Sequence, residues 1–75
     1  MGHDLHINLT CFPWPVSVLK FSQMVHELRP GDNLIARIND PDVVVNLEQF
    51  LSSQPDLHFG MSRTDADYCI RVTKR

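Results

Sequence analysis

Seventy-five residues leave room for one compact domain, and 43% hydrophobic content with three glycines and five prolines is that of an ordinary globular chain. Seven Lys and Arg against nine Asp and Glu give a formal charge of -2, which argues against a field drawing the chain toward nucleic acid or an anionic membrane. No apolar run approaches the roughly 18 residues of a membrane span, and no signal-peptide pattern opens the sequence, so the expected compartment is the cytoplasm. Cys11 and Cys69 form no CxxC pair and are expected to be reduced and unpaired there.

Leu5, Ile7 and Leu9 alternate with His6 and Asn8, the period-two pattern of a half-buried strand that should end near Thr10. Cys11-Phe12-Pro13-Trp14-Pro15 must then be a loop, because each proline lacks an amide donor and restricts the residue before it. Pro15 suits the first turn of a helix, and Val18, Phe21, Val25 and Leu28 recur at helical spacing, which predicts a helix from about Pro15 to Arg29. Arg29-Pro30-Gly31-Asp32 turns the chain into a strand over Asn33 to Ile38, with Leu34, Ala36 and Ile38 on one face.

Asn39-Asp40-Pro41 offers a capping carboxylate followed by proline at the first helical position. With Val43 or Val44, Leu47, Phe50 and Leu51 as its apolar face, a second helix should run from Pro41 to about Ser53. Leu57, Phe59 and Met61 alternate, as do Tyr68, Ile70 and Val72 beyond the Arg63-Thr64-Asp65-Ala66 turn, giving two strands of an antiparallel hairpin. The order β-α-β-α-β-β over residues 4–75 predicts a single two-layer α/β (α+β) sandwich, a four-stranded mixed sheet with two helices on one face.

Ile7-Asn8-Leu9-Thr10-Cys11-Phe12-Pro13-Trp14-Pro15-Val16-Ser17-Val18 lies without a gap along the pattern L-D-x-x-G-L-x-C-P-x-P-(L/V), and Lys20, two residues before the position of the lysine that follows in that pattern, is the nearby basic residue. Leu28-Arg29-Pro30-Gly31-Asp32, Asn39-Asp40-Pro41, Leu47, Phe50, Tyr68 and Ile70-Arg71-Val72 follow in the same register. On these residues the chain resembles the TusA/SirA family of sulfur carriers (sulfurtransferases) from about Leu5 to its end. Trp14 stands where the family keeps its sulfur-bearing cysteine, Ser17 replaces the second proline and Cys11 the glycine. Sliding the alignment to match Pro13-Trp14-Pro15 to P-x-P puts Phe12 at the cysteine position. It also needs a two-residue insertion in the helix, turning its apolar stripe by about 200°.

The resemblance implies sulfur trafficking, in which persulfide sulfur is accepted from a cysteine desulfurase and passed on. A cysteine at a helix N-terminus suits that chemistry, because free amides and the macrodipole favour thiolate. Indole carries only a donor N–H and forms no persulfide. The first expectation is therefore a noncatalytic protein-binding module without cofactor, its binding residues Trp14, Pro15, Ser17 and Lys20, its partner a cysteine desulfurase or DsrE-like relay protein. The second is a sulfur carrier using Cys11 as a displaced thiol, against the plainer reading of Cys11 as a semi-buried thiol filling a glycine position. Cys11 lies upstream of the helix's first turn, where the dipole effect fades, and is expected not to be activated. The third is an RNA-binding module, since the fold resembles the C-terminal domain of bacterial translation initiation factor three.

Trp14 is either an exposed aromatic anchor for a partner or a cap on the core beside Phe12. His3 and His6 form an H-x-x-H pair, but a strand there puts them on opposite faces, so no metal site is expected. Cys69 alternates out of phase with Tyr68, Ile70 and Val72 and belongs to the other sheet face.

Overall fold

A computed structural model describes residues 2–75; Met1 lies outside the described residues. The chain runs through β1 (Asp4–Asn8), α1 (Val16–His26), β2 (Asn33–Ile38), α2 (Pro41–Ser52), β3 (Leu57–Arg63) and β4 (Tyr68–Lys74). These elements build the α+β sandwich that the pattern predicts, a mixed sheet ordered β1-β2-β4-β3. β1 is parallel to β2, and β4 runs antiparallel between β2 and β3. The chain therefore crosses from β2 to the far edge through α2 and returns by the β3–β4 hairpin into the central place.

Strand register sorts the side chains into two faces. Leu5, Leu34, Val72 and Phe59 form one row across the sheet, and Ile7, Ala36, Ile70 and Met61 form the next. The central members of both rows, Leu34, Ala36, Ile70 and Val72, have no exposed surface. Phe21 and Val25 of α1 and Val43, Val44, Leu47 and Leu51 of α2 join them in one buried cluster. Between the helices, the His26 and Phe50 rings meet edge to face with centroids 6.5 Å apart. The opposite face carries Asp4, Asn33 and Thr73 as a polar ladder: Asn33 Nδ2 donates to Asp4 Oδ1 (2.8 Å) and Thr73 Oγ1 to Asn33 Oδ1 (2.6 Å).

α2 begins as its sequence dictates. Asp40 accepts the Asp42 amide at 2.9 Å and Pro41 opens the helix, where its missing N–H costs nothing. α1 is shorter than its apolar spacing predicts, ending at His26 rather than Arg29. Pro30 disfavours helical geometry at Arg29. In addition, the Asp32 carboxylate takes the Arg29 amide (3.1 Å) and the His3 amide (3.0 Å), drawing both chain segments to the turn. Gly31 there has φ 91°, which side-chain-bearing residues rarely adopt. β1 ends at Asn8 rather than Thr10, although the Leu9 amide still reaches Arg37 O at 2.8 Å.

These two amide donors, His3 first, hold the Asp32 carboxyl below its ordinary value of 3.8. A lowered carboxyl stabilises the fold above the unfolded value, and that contribution is lost as pH falls through the folded one. Asp32→Asn is therefore expected to be less stable than the parent near neutral pH, with the difference shrinking below pH 3.8 in urea titrations. Leu47→Ala removes a fully buried side chain at the helix–sheet contact. Urea unfolding should show a loss of about 2–5 kcal/mol, comparable to the whole stability of about 3–5 kcal/mol that a core of this size supplies.

Candidate functional site

The loop between β1 and α1 is pinned at both ends and exposed between. Leu9 is buried, Phe12 packs against the core, and the Phe12 amide closes a turn onto Leu9 O at 3.2 Å. Asn8 Oδ1 accepts the Thr10 amide (3.0 Å) and hydroxyl (2.5 Å), fixing the strand exit. Cys11 sits at the tip of that turn and is exposed. This corrects the semi-buried placement expected for a thiol filling a glycine position: turn closure half-buries Thr10 and Phe12 and leaves residue 11 outward. Its Sγ faces back to Asn8 O at 3.5 Å, toward the strand end.

Pro15 occupies the N-cap of α1, so the helix starts one residue later than predicted, and no side chain caps it. The Ser17 and Leu19 amides donate to Pro13 O and Pro15 O at 3.1 Å each. Trp14 immediately precedes the cap and is 61% exposed, so it does not cap the core beside Phe12. Val16 (44%) and Leu19 (59%) are exposed with it. On the helix, residues 16, 19 and 20 fall on one side by their i, i+3, i+4 spacing, so Lys20 borders the two apolar side chains. Pro15 is exposed beside them.

Ser17 does not belong to this surface. At 1% exposure it lies four residues before Phe21 on the buried stripe, and its hydroxyl has no hydrogen-bond partner among the described residues. The small side chain lets the first turn of α1 lie close over the core, and it reaches no partner directly.

A recess lies on the sheet's uncovered face and was not singled out from the sequence. His6, Asn8, Ile35, Arg37, Tyr68 and Cys69 line a shallow concavity of about 600 Å³. Only the register places them together, through the pairs Ile35 with His6 and Arg37 with Cys69. Cys69 is on this face as its alternation predicts, and half-buried. Arg37 is tied to the Asp67 carboxylate, and Lys74 Nζ to Asp56 Oδ2 at 2.5 Å, which holds the Asp56 carboxyl below its ordinary value. Two of the seven cations thus lack a free charge for phosphate.

His3 precedes β1 and His6 lies within it, and among the described residues no group of three or more His, Cys, Asp or Glu is placed to hold a metal ion. No helix there is long and apolar enough to cross a membrane. No family model, curated protein or solved structure matches the chain.

The geometry of the α1 start makes two expectations concrete. Trp14→Ala should change unfolding free energy by less than about 1 kcal/mol, since a mostly exposed side chain leaves no cavity. Trp14→Cys, with Cys11 and Cys69 changed to serine, should alkylate faster than Cys11 in the parent across roughly pH 6 to 9, because a thiol beside the first turn faces free amides.

Proposed function

We propose that this chain is a noncatalytic protein-binding module of TusA/SirA type, which retains a docking surface at the start of α1 without the sulfur-bearing nucleophile. The observation that carries this reading is the exposure of Trp14 at the position of the family's cysteine, flanked by exposed Val16 and Leu19 and bordered by Lys20. Three apolar side chains held on a helix start satisfy no internal packing need. An exposed tryptophan beside such apolar side chains is the kind of anchor that dominates protein interfaces. Lys20 adds one positive charge at the rim, suited to an acidic neighbour and to steering encounter.

The partner that fits the proposed family is a cysteine desulfurase or a DsrE-like relay protein, with this chain occupying the face that a sulfur-carrying relative would use. Cys11 contributes little to the reading, because its thiol is directed to the Asn8 carbonyl at the end of β1.

Calorimetric titration of the chain against the desulfurase and the DsrE-like protein of its own organism tests this. Binding is expected with at least one of them, weakened about tenfold or more by Trp14→Ala, as for an interface hot spot. Lys20→Glu should slow association and Cys11→Ser should change nothing. Absence of binding to both, or binding indifferent to Trp14, contradicts the proposal.

A further inference from the structure

We propose that β3 is a self-association edge, at which two copies of this chain pair antiparallel about a twofold axis through Gly60 and join their sheets into one of eight strands. The inference goes beyond the docking surface on α1 and is independent of it.

β3 is an outer strand of the sheet and pairs on one side with β4. The direction of its other backbone groups follows from the hairpin's flanking hydrogen bonds. The Arg75 amide donates to Asp56 O (3.0 Å) and the Thr64 amide to Asp67 O (2.8 Å), so hydrogen-bonded pairs with β4 fall at even-numbered positions. Antiparallel alternation then turns the amides and carbonyls of Leu57, Phe59, Met61 and Arg63 outward. Among these, the Leu57 amide alone has a partner among the described residues, Gln54 O at 3.4 Å.

Natural sheets blunt such edges with central charges, prolines, bulges or brevity. β1, the opposite edge, is only five residues long and its uncovered-face side chains are Asp4, His6 and Asn8. β3 has seven residues, no proline, and its one charged residue, Arg63, at its very end. Its helix-side residues Phe59 and Met61 extend the two buried rows of the sheet yet stay 36% and 47% exposed.

A second copy fits these features residue by residue. With Gly60 on the axis, Phe59 faces the partner's Met61, Met61 the partner's Phe59, and Leu57 the partner's Arg63. These are the outward-directed positions, so each such pair exchanges backbone hydrogen bonds. Both copies carry their helices on the same side, and the two buried rows run on across the junction. Arg63 meets leucine and never its own copy, so no like charges oppose each other. On the uncovered face Gly60 meets Gly60, and a Cβ built there finds nothing within 4 Å, so backbone approach is unobstructed. One strand edge with two large side chains per copy buries on the order of 1,000 Å² in total, the low end for a specific interface, which sets a concentration-dependent dimer.

Sedimentation equilibrium of the full chain from about 10 µM to 1 mM, bracketing the affinity of so small an interface, should show a monomer–dimer equilibrium. Met61→Lys, at an exposed position, should raise the dissociation constant about tenfold or more with the circular dichroism spectrum unchanged. Gly60→Cys in a Cys11→Ser, Cys69→Ser background should oxidise to a covalent dimer, because facing residues of a non-hydrogen-bonded pair lie about 4.5 Å apart at Cα, within disulfide range. Ser62→Cys in that background should not link to itself, since it faces the partner's His58. A monomer throughout the range, a dimer indifferent to Met61→Lys, or a Gly60→Cys chain that links no faster than Ser62→Cys overturns the proposal.

Discussion

Burial of one sheet face beneath the Phe21 and Leu47 stripes is the constraint on which the rest of this chain depends. Two helices of eleven and twelve residues supply most of the cover, and their buried side chains converge on Leu34, Ala36, Ile70 and Val72 in β2 and β4. Each fully buried aliphatic or aromatic residue contributes roughly 1.5–3 kcal/mol of transfer free energy before entropy is counted. What the helices leave uncovered follows from that geometry. The cover thins over β3, so Phe59 and Met61 emerge, and the side of α1 turned away from the core presents Val16 and Leu19.

Much of the fold is legible in the sequence because local chemistry and tertiary demand agree. Asn33 to Ile38 alternates cleanly and is flanked by a turn and a cap, and its bounds are those of β2. Asp40-Pro41 marks the start of α2 by a mechanism that acts within three residues. The end of α1 is different. Leu28 keeps the helical spacing and is buried, but Asp32 captures the Arg29 amide from outside the helix, and periodicity carries no record of that bond. The alternation of Phe59 and Met61 likewise reports a face and not whether the strand is central or at an edge.

The candidate site was half legible. Motif register pointed to Trp14, and its exposure matches an anchor rather than a core cap. Ser17 misleads because a hydroxyl reads as surface, whereas its spacing to Phe21 and Val25 puts it on the buried stripe. The recess around His6, Arg37 and Cys69 joins three strands distant in sequence, so nothing local could announce it. No alternation pattern states that β4 enters between β2 and β3, and that strand order creates both the recess and the β3 edge.

Within the proposed reading, loss of the nucleophile and gain of an aromatic anchor are one change at one position. A cysteine preceding α1 would face an uncapped helix start; the indole there has donor and surface but no sulfur chemistry. Exposed Cys11 is the residue that puts this to the test, since it is reachable and nearby. The most direct measurement is intact-protein mass spectrometry after incubation with a cysteine desulfurase and free cysteine. The account predicts an unchanged mass, whereas addition of a sulfur atom to the chain, abolished by Cys11→Ser, would contradict it.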